Sequence, residues 1–109
     1  MAFDQQLADT LRELLEGQSG LVEKKMFGGL AFLVNGNMSV GLHGSDLIVR
    51  LPPEDTGAAL AEPGTRIFDL TGRPMKGWLL VSGDAISERE SLARWVRRGV
   101  AYASSLSPK

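Results

Sequence analysis

Apolar residues recur at helical spacing at both ends of this chain and follow strand-like runs between them. Near the start, Leu7, Leu11, Leu14 and Leu15 form one stripe and predict a helix over residues 3–16. Asp4 can cap it, with Phe3 outside as a hydrophobic staple, and Gly17 closes it as a left-handed residue. Four runs then predict strands at 22–27, 30–35, 38–43 and 47–51. Asn35-Gly36 joins the second to the third, because a type I′ turn needs positive φ at both central positions. His43-Gly44-Ser45-Asp46 supplies the next turn, so the four strands read as an antiparallel meander.

Pro52-Pro53 stops the fourth strand, and a short helix is expected over 54–61, with Glu54 and Asp55 at its positive end. Residues 66–70 and 77–82 predict two more strands around a turn at 71–74. Ser87-Glu88-Arg89-Glu90 reads as a capping box opening a helix to about residue 103, whose apolar face is Leu92, Trp95, Val96, Gly99, Val100 and Ala103. The order predicts a single α+β domain over 1–109. A curved antiparallel sheet of about six strands, a meander plus a hairpin, is flanked by N-terminal and C-terminal helices.

Composition narrows the chemistry. The 109 residues suffice for one core, and 43% hydrophobic with 23% charged content is ordinary for a globular protein. A net charge of -1 gives no whole-molecule attraction to nucleic acid or membrane, so such binding would need a local patch. With no cysteine there is no disulfide, thiolate metal site or cysteine nucleophile. No apolar run approaches the roughly 20 residues of a membrane span, and no secretory leader is legible. A cytoplasmic protein without a membrane partner is the expectation.

No catalytic set stands out. His43, the single histidine, lies beside Ser45 and Asp46, but that residue mix is what a turn requires, whereas triads assemble from distant segments. One histidine and no cysteine leave only carboxylates for a metal, and the Glu54-Asp55 and Glu88/Glu90 pairs are explained by helix starts. Neither Gly28-Gly29 nor Gly72 belongs to a phosphate-binding loop. No cofactor and no metal are therefore expected. Two segments remain. Arg73-Pro74-Met75-Lys76-Gly77-Trp78 gathers residue types favoured at interfaces, so Arg73, Met75, Lys76 and Trp78 are candidate partner-binding residues. The competing reading places Trp78 in the core with Met75 beside it. Arg94, Arg97 and Arg98 share a helix face and are candidate nucleic-acid contacts, against the plainer reading of a solvated face.

Met26-Phe27-Gly28-Gly29, following Lys24-Lys25 and leading into the 30–35 strand, resembles the N-terminal domain of the TfoX/Sxy family of competence regulators. Arg73 to Trp78 is similar to a segment of its short, single-domain members, and the resemblance spans about residues 3–103. It implies an α+β fold similar in outline to secretion chaperones, and a regulatory role. Longer members promote expression of DNA-uptake genes together with the cAMP receptor protein. They carry a second, helical domain resembling nucleic-acid-binding modules, for which the 109 residues leave no room, so a DNA-contacting role does not carry across. The family motif holds no catalytic residue, and Met26, Phe27, Gly28 and Gly29 carry over as structural positions. The expected function is a small non-enzymatic regulator or adaptor acting through a protein partner, with nucleic-acid binding by the basic helix face as the alternative.

Overall fold

The computed structural model describes residues 4–26, 28–68 and 76–108. Helix α1 spans Gln5–Leu14, and the Asp4 carboxylate caps it by accepting from the Gln6 and Leu7 amides at 3.0 and 3.2 Å. Phe3, the expected staple, lies outside the described residues. Strands β1 (Leu21–Met26), β2 (Gly29–Val34), β3 (Asn37–His43) and β4 (Asp46–Arg50) follow as the expected antiparallel meander. At the β2–β3 turn Asn35 and Gly36 have φ of 53° and 84°, as a type I′ turn demands. After β4 the single expected helix splits into a 3-10 turn, Pro53–Asp55, and α2, Thr56–Leu60. Strand β5 is Thr65–Ile67 and β6 is Trp78–Val81. The Phe68 amide still donates to the Trp78 carbonyl at 2.9 Å, and the remainder of the expected 66–70 strand lies outside the described residues.

The six strands form one sheet in the order β1-β2-β3-β4-β6-β5, with every neighbouring pair antiparallel. Helix α3, Arg89–Ser105, closes the fold. It does not start with the expected capping box. Glu88 is its N-cap and makes no side-chain cap. A 3-10 turn, Gly83–Ile86, ends two residues before the helix, and the Ser87 hydroxyl donates back to the Asp84 carbonyl at 3.3 Å. The hydroxyl thus serves the preceding turn, and the local box signal is overridden.

The helices occupy one face of the sheet. Ala8 and Leu11 of α1, Ala59 of α2, and Leu92, Trp95 and Val96 of α3 join Leu30, Phe32, Val40, Leu42, Leu47, Val49, Leu79 and Val81 in the main core. Strand alternation sends the other residues through the sheet to a second, smaller cluster of Ala31, Met38, Ile48 and Leu80 with Phe68, packed by Met26 and Trp78. No described helix contributes to it. Helix α3 rides very close to β3 at Gly99. A β-carbon there would lie 2.6 Å from the Ser39 carbonyl oxygen and 2.8 Å from Val40 Cγ1. Ser39 is itself fully buried and donates to the Phe32 carbonyl at 2.7 Å, beside the irregularity between Phe32 and Leu33 in the β2–β3 pairing.

This packing predicts that Gly99→Ala destabilises the domain by about 1–3 kcal/mol, because backbone atoms of β3 cannot yield as a side chain would. Gly57→Ala in α2, where the new methyl meets nothing within 4 Å, should be neutral or stabilising by up to about 1 kcal/mol. Urea unfolding of both variants checks the contrast.

Candidate interaction site

Pro52 and Pro53 turn the chain away from β4, and the turn at Lys76 and Gly77 returns beside that point. The Leu51 amide donates to the Gly77 carbonyl at 2.6 Å. Thr56, buried at the start of α2, bridges the two segments. Its hydroxyl donates to the Pro53 carbonyl and accepts from the Gly77 amide, both at 2.8 Å. These bonds set the entry into β6, leaving Lys76 exposed and Trp78 partly buried.

Register places Trp78 opposite Arg50. The Arg50 guanidinium carbon lies 5.4 Å from the Trp78 ring centroid and 5.5 Å from that of Tyr102 on α3. On the other side Phe68 stacks with Trp78, with centroids 6.2 Å apart and planes at 28°. Phe68, Trp78, Arg50 and Tyr102 thus form a continuous row from the helix-free face of the sheet round to the end of α3. Both aromatic contacts of Arg50 lie within the roughly 6 Å over which a ring face attracts a cation. The arrangement can present flat apolar area and positive charge to a partner.

Two candidate partner-binding residues, Lys76 and Trp78, are therefore brought to this site. The other two, Arg73 and Met75, lie outside the described residues, as does Phe27 of the family motif. Within that motif, Met26 pairs with Gly29 across the β1–β2 hairpin, and Gly28 has φ of 72°. A side chain at Gly29 would collide with the Leu42 carbonyl. Four further residues at the site were not singled out from the sequence. Arg50 carries a readable signal, a cation in an otherwise apolar strand, and Phe68 is an aromatic in an expected strand, whereas Thr56 and Tyr102 carry none.

The candidate nucleic-acid residues are arranged differently. Arg94 and Arg98 both donate to Glu62, at 2.9 and 2.8 Å, joining α3 to the segment after α2. Their guanidinium carbons also lie 5.3 and 4.3 Å from the centroid of the Trp95 ring, and Trp95 is buried in the core. Burial alone would raise the Glu62 carboxyl, but the hydrogen bonds and charges of Arg94 and Arg98 outweigh it and hold the group below its ordinary value. Arg97 is exposed and makes no ion pair among the described residues. One cation of the three thus stands clear of Glu62. His43 is half-buried at the end of β3, opposite Asp46, and Asp46 accepts from Arg66 and the Gly83 amide at 3.0 and 3.1 Å. Among the described residues no group of three His, Cys, Asp or Glu side chains is placed to hold a metal, and no helix is long and apolar enough to cross a membrane.

The family model for the TfoX N-terminal domain matches residues 13–103. The chain belongs to the TfoX N-terminal domain family. Comparison with curated proteins and with solved structures gives no match. The matched span of this TfoX-family domain takes in the whole sheet and most of α3, and so includes the Arg50–Trp78–Tyr102 row.

Two measurements follow. The Glu62 carboxyl lies below its unfolded value, so its stabilisation is fully present above the ordinary glutamate value of about 4.3 and lost as pH falls through the lower folded value. Glu62→Gln should cost at most about 1 kcal/mol at pH 7 and low salt, since Arg94 is half exposed, Arg98 is a third exposed and water screens both pairs. The difference from the natural sequence should narrow as pH falls below the ordinary glutamate value of about 4.3, as read by urea unfolding across pH. Separately, Trp95→Ala should cost about 3–5 kcal/mol, and Trp78→Ala, at a partly exposed site, should cost clearly less in the same assay.

Proposed function

We propose that this TfoX-family domain is a non-enzymatic regulatory adaptor of the cytoplasm, acting through protein contact at the Lys76–Trp78 end of its sheet. The observation that carries this reading is the Arg50–Trp78–Tyr102 row. Tryptophan, tyrosine and arginine dominate the energetics of protein interfaces, because each offers a large rigid surface with a polar edge. Here they are already held in place by β4, β6 and α3, so little side-chain freedom is lost when a partner docks. With Arg50 against the indole and Lys76 exposed two residues before it, the favoured partner segment carries an apolar anchor and at least one carboxylate. The family's competence role supports a partner in the transcription apparatus.

The pairing of Arg94 and Arg98 with Glu62 favours this surface over the basic helix face as the working site. Phosphate contact there would have to displace two charge-assisted hydrogen bonds that already hold α3 in place.

Affinity capture from native lysate with nuclease present tests the proposal. The natural domain should retain protein partners, and Arg50→Ala combined with Lys76→Ala should lower their recovery about tenfold or more, the equivalent of about 1.4 kcal/mol. Thermal unfolding and circular dichroism establish that the variant is folded. Unchanged capture by the folded variant, or capture that disappears with nuclease, would sink the reading.

A further inference from the structure

The two edges of the sheet are built differently. Edge strand β5 is three residues long, and its Thr65 hydroxyl lies within hydrogen-bonding distance of the Ala59 and Glu62 carbonyls at the end of α2, at 3.0 and 2.8 Å. Short edges of this kind resist further pairing. Edge strand β1 is twice as long, has no proline, and pairs with β2 in unbroken register from Leu21 to Met26. Its four central residues are all exposed, and Val22 is 48% exposed.

The direction of its free backbone groups follows from one hydrogen bond. The Asn35 amide donates to the Gly20 carbonyl at 3.0 Å, so Gly20 and Asn35 form a hydrogen-bonded pair in line with the β1–β2 register. Antiparallel pairs alternate, so Val22, Lys24 and Met26 also bond inward to β2. Leu21, Glu23 and Lys25 therefore direct their N–H and C=O groups away from the sheet.

A second copy that added its own β1 about a two-fold axis would have to place same-face residues opposite each other. Two centred registers satisfy this. A pairing centred on Glu23 sets that carboxylate against itself. A pairing centred on Lys24 sets Glu23 against Lys25 of the second copy, twice by symmetry, and Val22 against Met26 of the second copy, also twice. Lys24 then meets only its own symmetry mate, and its long stem lets the two ammonium groups splay into water. Opposite-charge and apolar cross-strand pairs each stabilise a ladder, and like charges directly opposed weaken it. Lys25 makes no ion pair among the described residues, while Glu23 is oriented by Arg12 through two bonds of 2.8 Å, on the face that carries α1. Arg12 holds the Glu23 carboxyl below its ordinary value, so the group offered to an incoming lysine is charged.

We infer that β1 is a self-association edge. Two copies join antiparallel through Leu21–Met26, in the register centred on Lys24, into one continuous twelve-stranded sheet. The pairing also makes the helix-free face continuous, because Met26, which packs on its apolar cluster, meets Val22 of the second copy. The interface is small, so a micromolar, concentration-dependent dimer is expected.

The chain has no natural cysteine, which makes cross-linking decisive. In the proposed register Lys24→Cys faces its own symmetry mate in a non-hydrogen-bonded pair, the closest kind of cross-strand pair. Mild oxidation should give a disulfide-linked dimer. Val22→Cys, which faces Met26, should give none. Sedimentation equilibrium on chains without cysteine supplies the second readout. Lys25→Glu should be monomeric, as should Glu23→Lys, and an equimolar mixture of the two should dimerise, because every charged cross-strand pair other than the central one is then opposite in sign. Lys25→Pro, which removes an outward N–H while leaving the β2 ladder intact, should also be monomeric. A natural chain that stays monomeric into the millimolar range overturns the proposal. So does a dimer indifferent to Lys25→Pro, while one that cross-links through Glu23→Cys and not Lys24→Cys overturns the register.

Discussion

Helix α3 can rest on β3 almost backbone to backbone because position 99 has no side chain, and much of the molecule's arrangement depends on that contact. The close approach buries Trp95 in the main core and brings Arg98, which lies over the Trp95 ring one helical turn away, within reach of Glu62. It also carries Tyr102 to the end of β4, where Arg50 fills the space between Tyr102 and Trp78. At the far end the Asn37 side-chain amide, buried at the start of β3, donates to the Ser107 carbonyl at 3.0 Å and ties down the chain after α3. Moving the helix outward by the width of a methyl group would disturb all four contacts together.

The second constraint is the unequal covering of the sheet. The main core receives side chains from all three helices, and the opposite cluster receives them from the strands and Phe68. Such asymmetry gives a sheet one face committed to stability and another whose margins are open to contact. The aromatic row lies at one margin of that second face and the β1 edge at another. A partner at the first and a second copy at the second would not compete, because β1 and β6 are separated by three strands.

Charge follows the same logic. Most of the basic side chains with defined partners hold the fold together. Arg12 clamps α1 to β1 through Glu23, Arg89 joins α3 to Glu13 of α1, and Arg94 with Arg98 joins α3 to Glu62. Each pair is solvated enough to contribute modestly to stability, yet together they fix the orientation of the helices on the sheet. Among the described residues, the exposed cations that make no ion pair are Lys24, Lys25, Lys76 and Arg97. Three of them lie at the β1 edge or beside Trp78, where the surface is open.

Local physics was legible in the chain. Asp4 caps the first helix by bonding amides two and three residues on, and Asn35-Gly36 adopts the backbone only such residues take readily. The order of the first four strands followed from short turns, and the apolar stripes correctly marked the buried faces of α1 and α3. Where a local signal met a competing neighbour, the neighbour decided. Ser87 had the spacing of a capping box, but the 3-10 turn before it used the hydroxyl. The sequence by itself determined the α+β class, the meander and the helical faces, because those depend on interactions a few residues long. Only the tertiary structure decided which cations are committed and which side chains form a surface. Arg94 and Arg98 find Glu62 across separations of 32 and 36 residues, and Arg50 meets Trp78 and Tyr102 only when β6 and α3 have been laid beside β4. Spacing along a chain carries no record of such meetings, since they are set by how strands pair and how closely a helix can approach them.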